Sequence, residues 1–206
     1  DGKISVGLSM KWIIAICLLA VVATFCDTPF VRGEEVSETE YLIDFREGRT
    51  PQWRAVNDGV MGGLSNSNIR PTEEGTGLFT GELSLENNGG FASVRCLTDP
   101  RDLSGRDGLE LRVRGDGRTY QLRLRMDDRF DGVAYRAFFD TVEGQWMTIR
   151  LPFSDFQPTF RGRTLTDVAA LEPSRIAQVA FMIADKRTGS FTLEIEFVRT
   201  WTREQG

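Results

Sequence analysis

The chain has 206 residues, 40% of them hydrophobic, 27% charged and 10% aromatic, with a formal net charge of −5 and no histidine. This is globular composition, neither disordered nor fibrous. Without histidine there is no Ser-His-Asp or Cys-His nucleophile, no imidazole-held metal and no near-neutral acid–base group. Three cysteines, Cys17, Cys26 and Cys96, are too few and too scattered for a thiolate zinc cage. Carboxylate chemistry remains, or binding without chemistry.

Along the chain, Met10-Lys11 reads as the natural start, followed by the charge-free apolar run Trp12–Phe25. A bilayer core needs about 20 apolar residues, so this run fits a secretory signal peptide instead of a span. Residues 1–33 are therefore expected to be removed, by cleavage after Gly33 or after Ala23. The expectation is an exported protein, periplasmic or extracellular, with no stable membrane span after cleavage. If the signal reading fails, a mitochondrial or cytoplasmic location follows. Residues 34–40 form an acidic, flexible lead-in, 41–201 a single domain and 202–206 a tail. Cys96 is then the one mature cysteine, on the apolar side of its strand, and expected to be buried.

From Tyr41 the sequence breaks into short apolar–polar alternations separated by Gly, Asn, Asp or Pro. The predicted strands are Tyr41–Phe45, Ser67–Pro71, Gly77–Ser84, Phe91–Leu97, Gly108–Arg114, Thr119–Met126, Val133–Thr141, Gln145–Pro152, Ala177–Ala184 and Ser190–Trp201. Leu109, Leu111 and Val113 alternate with Glu110, Arg112 and Arg114, a pattern with one core face and one wet face. The run Ala177–Ala184 is apolar on both faces and reads as a central strand. Short helical turns are expected at Ser154–Phe156 and Thr166–Ala170. The fold class is all-β, a two-sheet jelly-roll sandwich.

Few constellations carry chemistry. Asp58-Gly59-Val60-Met61-Gly62-Gly63 lacks the spacing of a nucleotide loop, and backbone punctuation explains it better. Asp127, Asp128, Asp131, Asp140 and Glu143 cluster at one turn, where a glycosidase needs two carboxylates facing across a cleft. Arg129 stands where a calcium loop needs oxygen, so a solvated acidic turn is the simpler reading. Of the 25 basic residues only Lys3, Lys11 and Lys186 are lysines. If the two consecutive strands carrying Arg112, Arg114, Arg123 and Arg125 pair, these four form a platform for carboxylates or sugar hydroxyls. The competing reading is an arginine-coated wet face paired with Glu110 and other acids.

The runs WRAVNDGVMGGLS (53–65), FTGELS (79–84), NGGFASVR (88–95), DGLELRVRGDGRTY (107–120) and GQWMTIRLPFSDFQPTFRG (144–162), with Ile183-Ala184-Asp185-Lys186, closely resemble the complex I intermediate-associated protein 30 family. The resemblance covers Tyr41 to about Trp201. It implies a galactose-binding-like β-sandwich and, by similarity to the eukaryotic members, a non-catalytic assembly factor that binds intermediates of mitochondrial respiratory complex I. It supplies no catalytic residues. Its motif positions here, Trp53, Asp58, Gly62, Gly63, Gly90, Phe91, Arg95, Trp146, Phe156, Arg161 and Gly162, suit structural roles in turns and core.

The expected function is thus a non-enzymatic binding module for a protein partner, with a carbohydrate-binding module as the alternative. Nucleic acid is excluded as a partner because a mildly acidic domain does not neutralise phosphates. No cofactor or metal is expected. Candidate binding residues lie in connections richer than a turn requires: Asp58, then Phe160, Arg161 and Arg163, then Asp185 and Lys186. Brought to one rim they form a mixed-charge pocket with an aromatic wall. Alternatively, Arg161 pairs with Asp58 or Asp185 and pins the loops together.

Overall fold

The computed structural model describes residues 39–48 and 51–203. The expected signal peptide and most of the acidic lead-in lie outside the described residues. Period-two alternation folds as it should: Leu109, Leu111, Val113, Tyr120, Leu122, Leu124, Val179, Phe181 and Ile183 are all fully buried, while their sequence neighbours face outward. Every predicted strand is present. In chain order the strands are β1 (Tyr41–Asp44), β2 (Arg54–Ala55), β3 (Asn66–Pro71), β4 (Gly77–Leu83), β5 (Ala92–Leu97), β6 (Gly108–Gly115), β7 (Thr119–Arg125), β8 (Ala134–Asp140), β9 (Trp146–Pro152), β10 (Gln157–Phe160), β11 (Arg163–Thr164), β12 (Gln178–Ile183) and β13 (Gly189–Trp201).

They form two antiparallel sheets facing each other across the core. The six-stranded sheet runs β3-β4-β13-β6-β9, with β1 also on β13, and the seven-stranded sheet runs β11-β10-β8-β7-β12-β5-β2. As expected, β12 is central, paired with β5 on one side and β7 on the other. Phe79, Tyr120 and Phe191 interlock between the sheets, with ring centroids 5.0 Å apart for Phe79–Phe191 and 6.5 Å for Phe79–Tyr120. Trp53 packs on the core edge, stacked on Phe45 at 6.1 Å and tilted on Phe181 at 6.2 Å. Among the described residues no helix is long and apolar enough to cross a membrane.

Three details depart from the sequence reading. A 3₁₀ turn forms at Phe153–Asp155, within one residue of expectation, but Thr166–Ala170 is not helical; the turn forms instead at Pro173–Arg175, where Pro173 suits a first helical position. The connection holding Phe160–Arg163 is the β10–β11 hairpin, with Phe160 opposite Arg163. Its two turn residues, Arg161 and Gly162, have φ of +47° and +81°, the primed turn that matches strand twist. Most consequentially, β6 and β7 do not pair. The chain crosses between the sheets at Gly115–Arg118, so Arg112 and Arg114 lie on one sheet and Arg123 and Arg125 on the other. The four-arginine platform that such pairing would build does not exist, and on the six-stranded sheet Arg114 pairs with Glu194, as the competing reading of an acid-paired wet face has it.

Candidate binding site

The outer face of the seven-stranded sheet is hollow, with a cavity of about 910 Å³ over β5, β12, β7 and β8. The register explains the hollow. Reading across the strands at one level, Arg54 faces Arg95, Arg95 faces Ala180, Ala180 faces Arg123, Arg123 faces Arg136, and Arg136 faces Gln157. The small side chain of Ala180 leaves a depression between two long ones. Gln121 and Met182 lie one step along the sheet, Gln178 and Arg125 one step the other way.

Four arginines of this face, Arg95, Arg123, Arg125 and Arg136, are half-buried, and none lies in ion-pair contact with a carboxylate among the described residues. Neutral groups position them. Arg95 donates to the Phe130 carbonyl at 2.8 Å and lies 4.4 Å from the Phe130 ring centre. Arg123 donates to Gln121 Oε1 (3.3 Å), Thr159 Oγ1 (3.0 Å) and Met182 Sδ (3.1 Å). Arg125 donates to the Gly132 carbonyl at 2.9 Å. Arg136 donates to Thr164 Oγ1 at 3.0 Å, but its Nε is buried without a hydrogen-bond partner. Burial and then repulsion from Arg125, Arg136 and Arg95 push Arg123 down to about 10. Burial also lowers Arg95 and Arg125, despite attraction from Asp131. Exposed Phe130 and Phe138 add apolar wall, with the Arg136 guanidinium 5.1 Å from the Phe138 ring centre.

The residues singled out in the sequence divide around this cavity. Arg161, Gly162, Asp185 and Lys186 line it, but not on one rim: the Arg161 turn follows Thr159, opposite Ala134, at the Gln178 end of β12, whereas Asp185 and Lys186 follow Ile183 at the Tyr120 end. Phe160 and Arg163 pair across the hairpin beside it, with Arg161 5.1 Å over the Phe160 ring. Asp58 does not reach the surface. Its carboxylate is wholly buried and accepts hydrogen bonds from Ser65 N (2.9 Å) and Ser65 Oγ (2.5 Å), Gly90 N (2.7 Å) and Phe91 N (3.2 Å). Burial pushes this carboxyl up, but the four donors outweigh it and hold it below the usual carboxylate range. A Cβ at Gly63 would strike the Asp58 carboxylate, and one at Gly89 would come within 2.6 Å of it. The glycine-rich string is a wrapper for one buried anion.

Arg161 pins neither Asp58 nor Asp185. It pairs with exposed Asp131 at 3.0 Å, whereas Asp185 is clamped by buried Arg118 through bonds of 2.7 and 2.9 Å. Arg118 also donates to the carbonyls of Gly189, Ser190 and Arg187, tying the β13 entry to the crossover. Of the motif positions, Phe156 is core, Gly62 and Gly90 take φ of +88° and +132° in loops, and Trp146 lies against Arg112 and Arg114 on the opposite sheet. Arg95 lies in the cavity instead of the core, and Gly90, Phe91, Arg161 and Gly162 also line it. The Cys96 thiol is buried on the core side of β5, and burial pushes it up to about 12.

A family profile for "Complex I intermediate-associated protein 30 (CIA30)" matches residues 43–195. The chain belongs to this family. Its relatives include the mitochondrial complex I intermediate-associated protein 30 of Mus musculus, 29% identical over 81% of this chain and 57% of that protein. That of Drosophila melanogaster is 26% identical over 78% of this chain and 62% of the relative. The chain thus spans about six-tenths of the length of these relatives. Among solved structures, the family 11 carbohydrate-binding module from Clostridium thermocellum superposes with a TM-score of 0.62 at 16% identity, over 82% of this chain and 97% of the module. A family 30 module from the same organism gives 0.51 at 12% identity, over 82% and 99%. These similarities confirm the galactose-binding-like sandwich, and at such identities they speak of fold alone.

Proposed function

We propose that this chain is a non-catalytic binding domain that engages a protein partner through the hollow outer face of its seven-stranded sheet. The carrying observation is the set of half-buried arginines there without carboxylate partners among the described residues, on a chain whose net charge is −5. A surface that concentrates uncompensated cations against the sign of the molecule costs stability and is explained by what it binds. Membership of the family supports a protein partner, since its relatives are named for association with complex I intermediates. The mitochondrial location in those names is the alternative already set out for the N-terminus, and the assembly role goes with it. Of the acids lining the cavity, Asp185 is locked by Arg118 and Asp131 pairs with Arg161, which leaves no opposed pair for glycoside chemistry. A glycan is the second reading, favoured by exposed Phe130 and Phe138 beside the arginines.

Affinity capture from mitochondrial and bacterial envelope extracts tests the proposal, run with wild type, Arg123→Gln and Arg112→Gln, beside a glycan array. A captured protein should be lost with Arg123→Gln and kept with Arg112→Gln, which lies on the other sheet. Equal capture by all three, or binding to the array alone, would refute it.

A further inference from the structure

The row across the seven-stranded sheet breaks a rule of sheet construction. Like charges directly opposite on neighbouring strands are destabilising, yet Arg123 faces Arg136 and Arg54 faces Arg95. Cross-strand carboxylates would relieve this, and the chain uses that device on its other sheet, where Glu194 faces Arg114 and Glu110 faces both Arg150 and Arg199. On the hollow face the central position is Ala180, flanked by Arg95 and Arg123. Their strands are two apart, about 9–10 Å at the normal inter-strand spacing. Both line the cavity with Ala180, and neutral acceptors fix their guanidiniums: the Phe130 carbonyl for Arg95, and Gln121, Met182 and Thr159 for Arg123. Arg95, Arg125 and Arg136 each spend one of their five donor hydrogens this way. The buried, unpartnered Nε of Arg136 extends the same row.

We infer that this face recognises an acidic polypeptide segment, laid extended across β5, β12, β7 and β8, with one carboxylate seated over Ala180 between Arg95 and Arg123 and the next near Arg136. The inference rests on the protein-binding reading above and names the chemistry of the partner. A planar guanidinium fork matches a carboxylate bidentately, and the half-buried setting strengthens each such pair. In a chain extended as polyproline II, three residues make one turn, so residues three apart share a face at about 9 Å, close to the two-strand separation of β12 from β8. The intervening side chains then lie against Met182, Phe130 and Phe138, where a thioether and two rings accept varied apolar groups. Gln121 and Gln178 flank the row with amide groups. A neutral sugar would leave the facing arginines uncompensated.

The test uses a fluorescein-labelled nonapeptide with Glu at every third position and Val or Gly between. Its Gln counterpart and an oligogalacturonate are run in parallel, and anisotropy is read on the folded chain. The Glu peptide should bind, weaken as salt rises, and lose about tenfold to a hundredfold with Arg95→Gln or Arg123→Gln. Arg123→Lys should recover only part of the loss, and Arg112→Gln should lose none. Thermal midpoints of all variants, measured alongside, separate lost contacts from lost fold. Equal binding of Glu and Gln peptides, or tight binding of oligogalacturonate with none of the Glu peptide, would overturn the inference. A captured protein still lost with Arg123→Gln while the Glu peptide fails would overturn the acidic segment alone and leave the protein-binding reading standing.

Discussion

The two outer faces of this sandwich carry the same residue type in opposite states. On the six-stranded sheet, Glu110 takes Arg150 at 2.8 Å and Arg199 at 2.5 Å, Glu194 takes Arg114, and Glu196 lies 3.6 Å from Arg46. Trp146 and Trp201 add rings under those guanidiniums. On the seven-stranded sheet, Arg95, Arg123, Arg125 and Arg136 have carbonyls, hydroxyls and a thioether as partners. The first face is a finished surface whose charges are paired within the chain. The second is finished by an anion from outside. Counting arginines does not separate scaffold from site; asking where each one's carboxylate is does.

Perturbing the paired charges should show what compensation is worth. The largest effect belongs to the buried pair of Arg118 and Asp185, both about 5% exposed. Asp185→Asn leaves a buried guanidinium half-served and should cost about 3–5 kcal/mol. In thermal melts this is a fall of roughly 10 °C. A shift below a degree or two would mean the crossover is held by something else.

Next in size is Glu110→Gln. Its carboxylate is 3% exposed, but Arg150 is open to water, so the loss should be smaller, about 2 kcal/mol. Burial raises the Glu110 pKa, but Arg150 and Arg199 outweigh it and hold the group below the usual carboxylate range. Asp58 and Asp185 are held low in the same way by their donors. For a lowered carboxylate the stabilisation is complete above the unfolded value, about 4, and is lost as pH falls through the folded one. Urea unfolding between pH 6 and 2.5 should therefore show stability falling with acid, less steeply in Glu110→Gln. A parallel slope in both proteins would remove Glu110 from the acid response.

How much of this was legible in the sequence follows from what alternation encodes. Period two tells a strand which of its faces is wet, and that placed Leu109, Leu111 and Val113 in the core and Arg123 and Arg125 outside it. It does not say which sheet a strand joins. Consecutive strands such as β6 and β7 can pair or part, and the crossover at Gly115–Arg118 parts them. Two-residue β2 and β11 carry too little alternation to read, and Pro158 disguised β10 as a loop. Asp58 read as a polar group at a strand end because its donors, Ser65, Gly90 and Phe91, are distant in sequence. Arg95 was visible as a motif position, but its place in the row with Arg123 and Arg136 needed the register.

On the unpaired face the expected sign reverses. Arg123→Met removes a desolvated charge that its neighbours repel, so the thermal midpoint should hold or rise while partner binding is lost. A fall of several degrees would mean that Arg123 is scaffold, through Thr159 and Gln121. The smallest effect is expected at Arg161→Ala. Its pair with Asp131 is exposed on both sides, so melting should barely move, and any change should appear in binding at the rim.

Arginine Nε–Hε resonances followed by NMR while the Glu nonapeptide is titrated into the folded protein test the contrast most directly. The signals of Arg95, Arg123, Arg125 and Arg136 should shift together and saturate together, while those of Arg114, Arg150 and Arg199, already held by Glu194 and Glu110, stay in place. Shifts confined to the six-stranded face, or equal on both faces, would contradict the account.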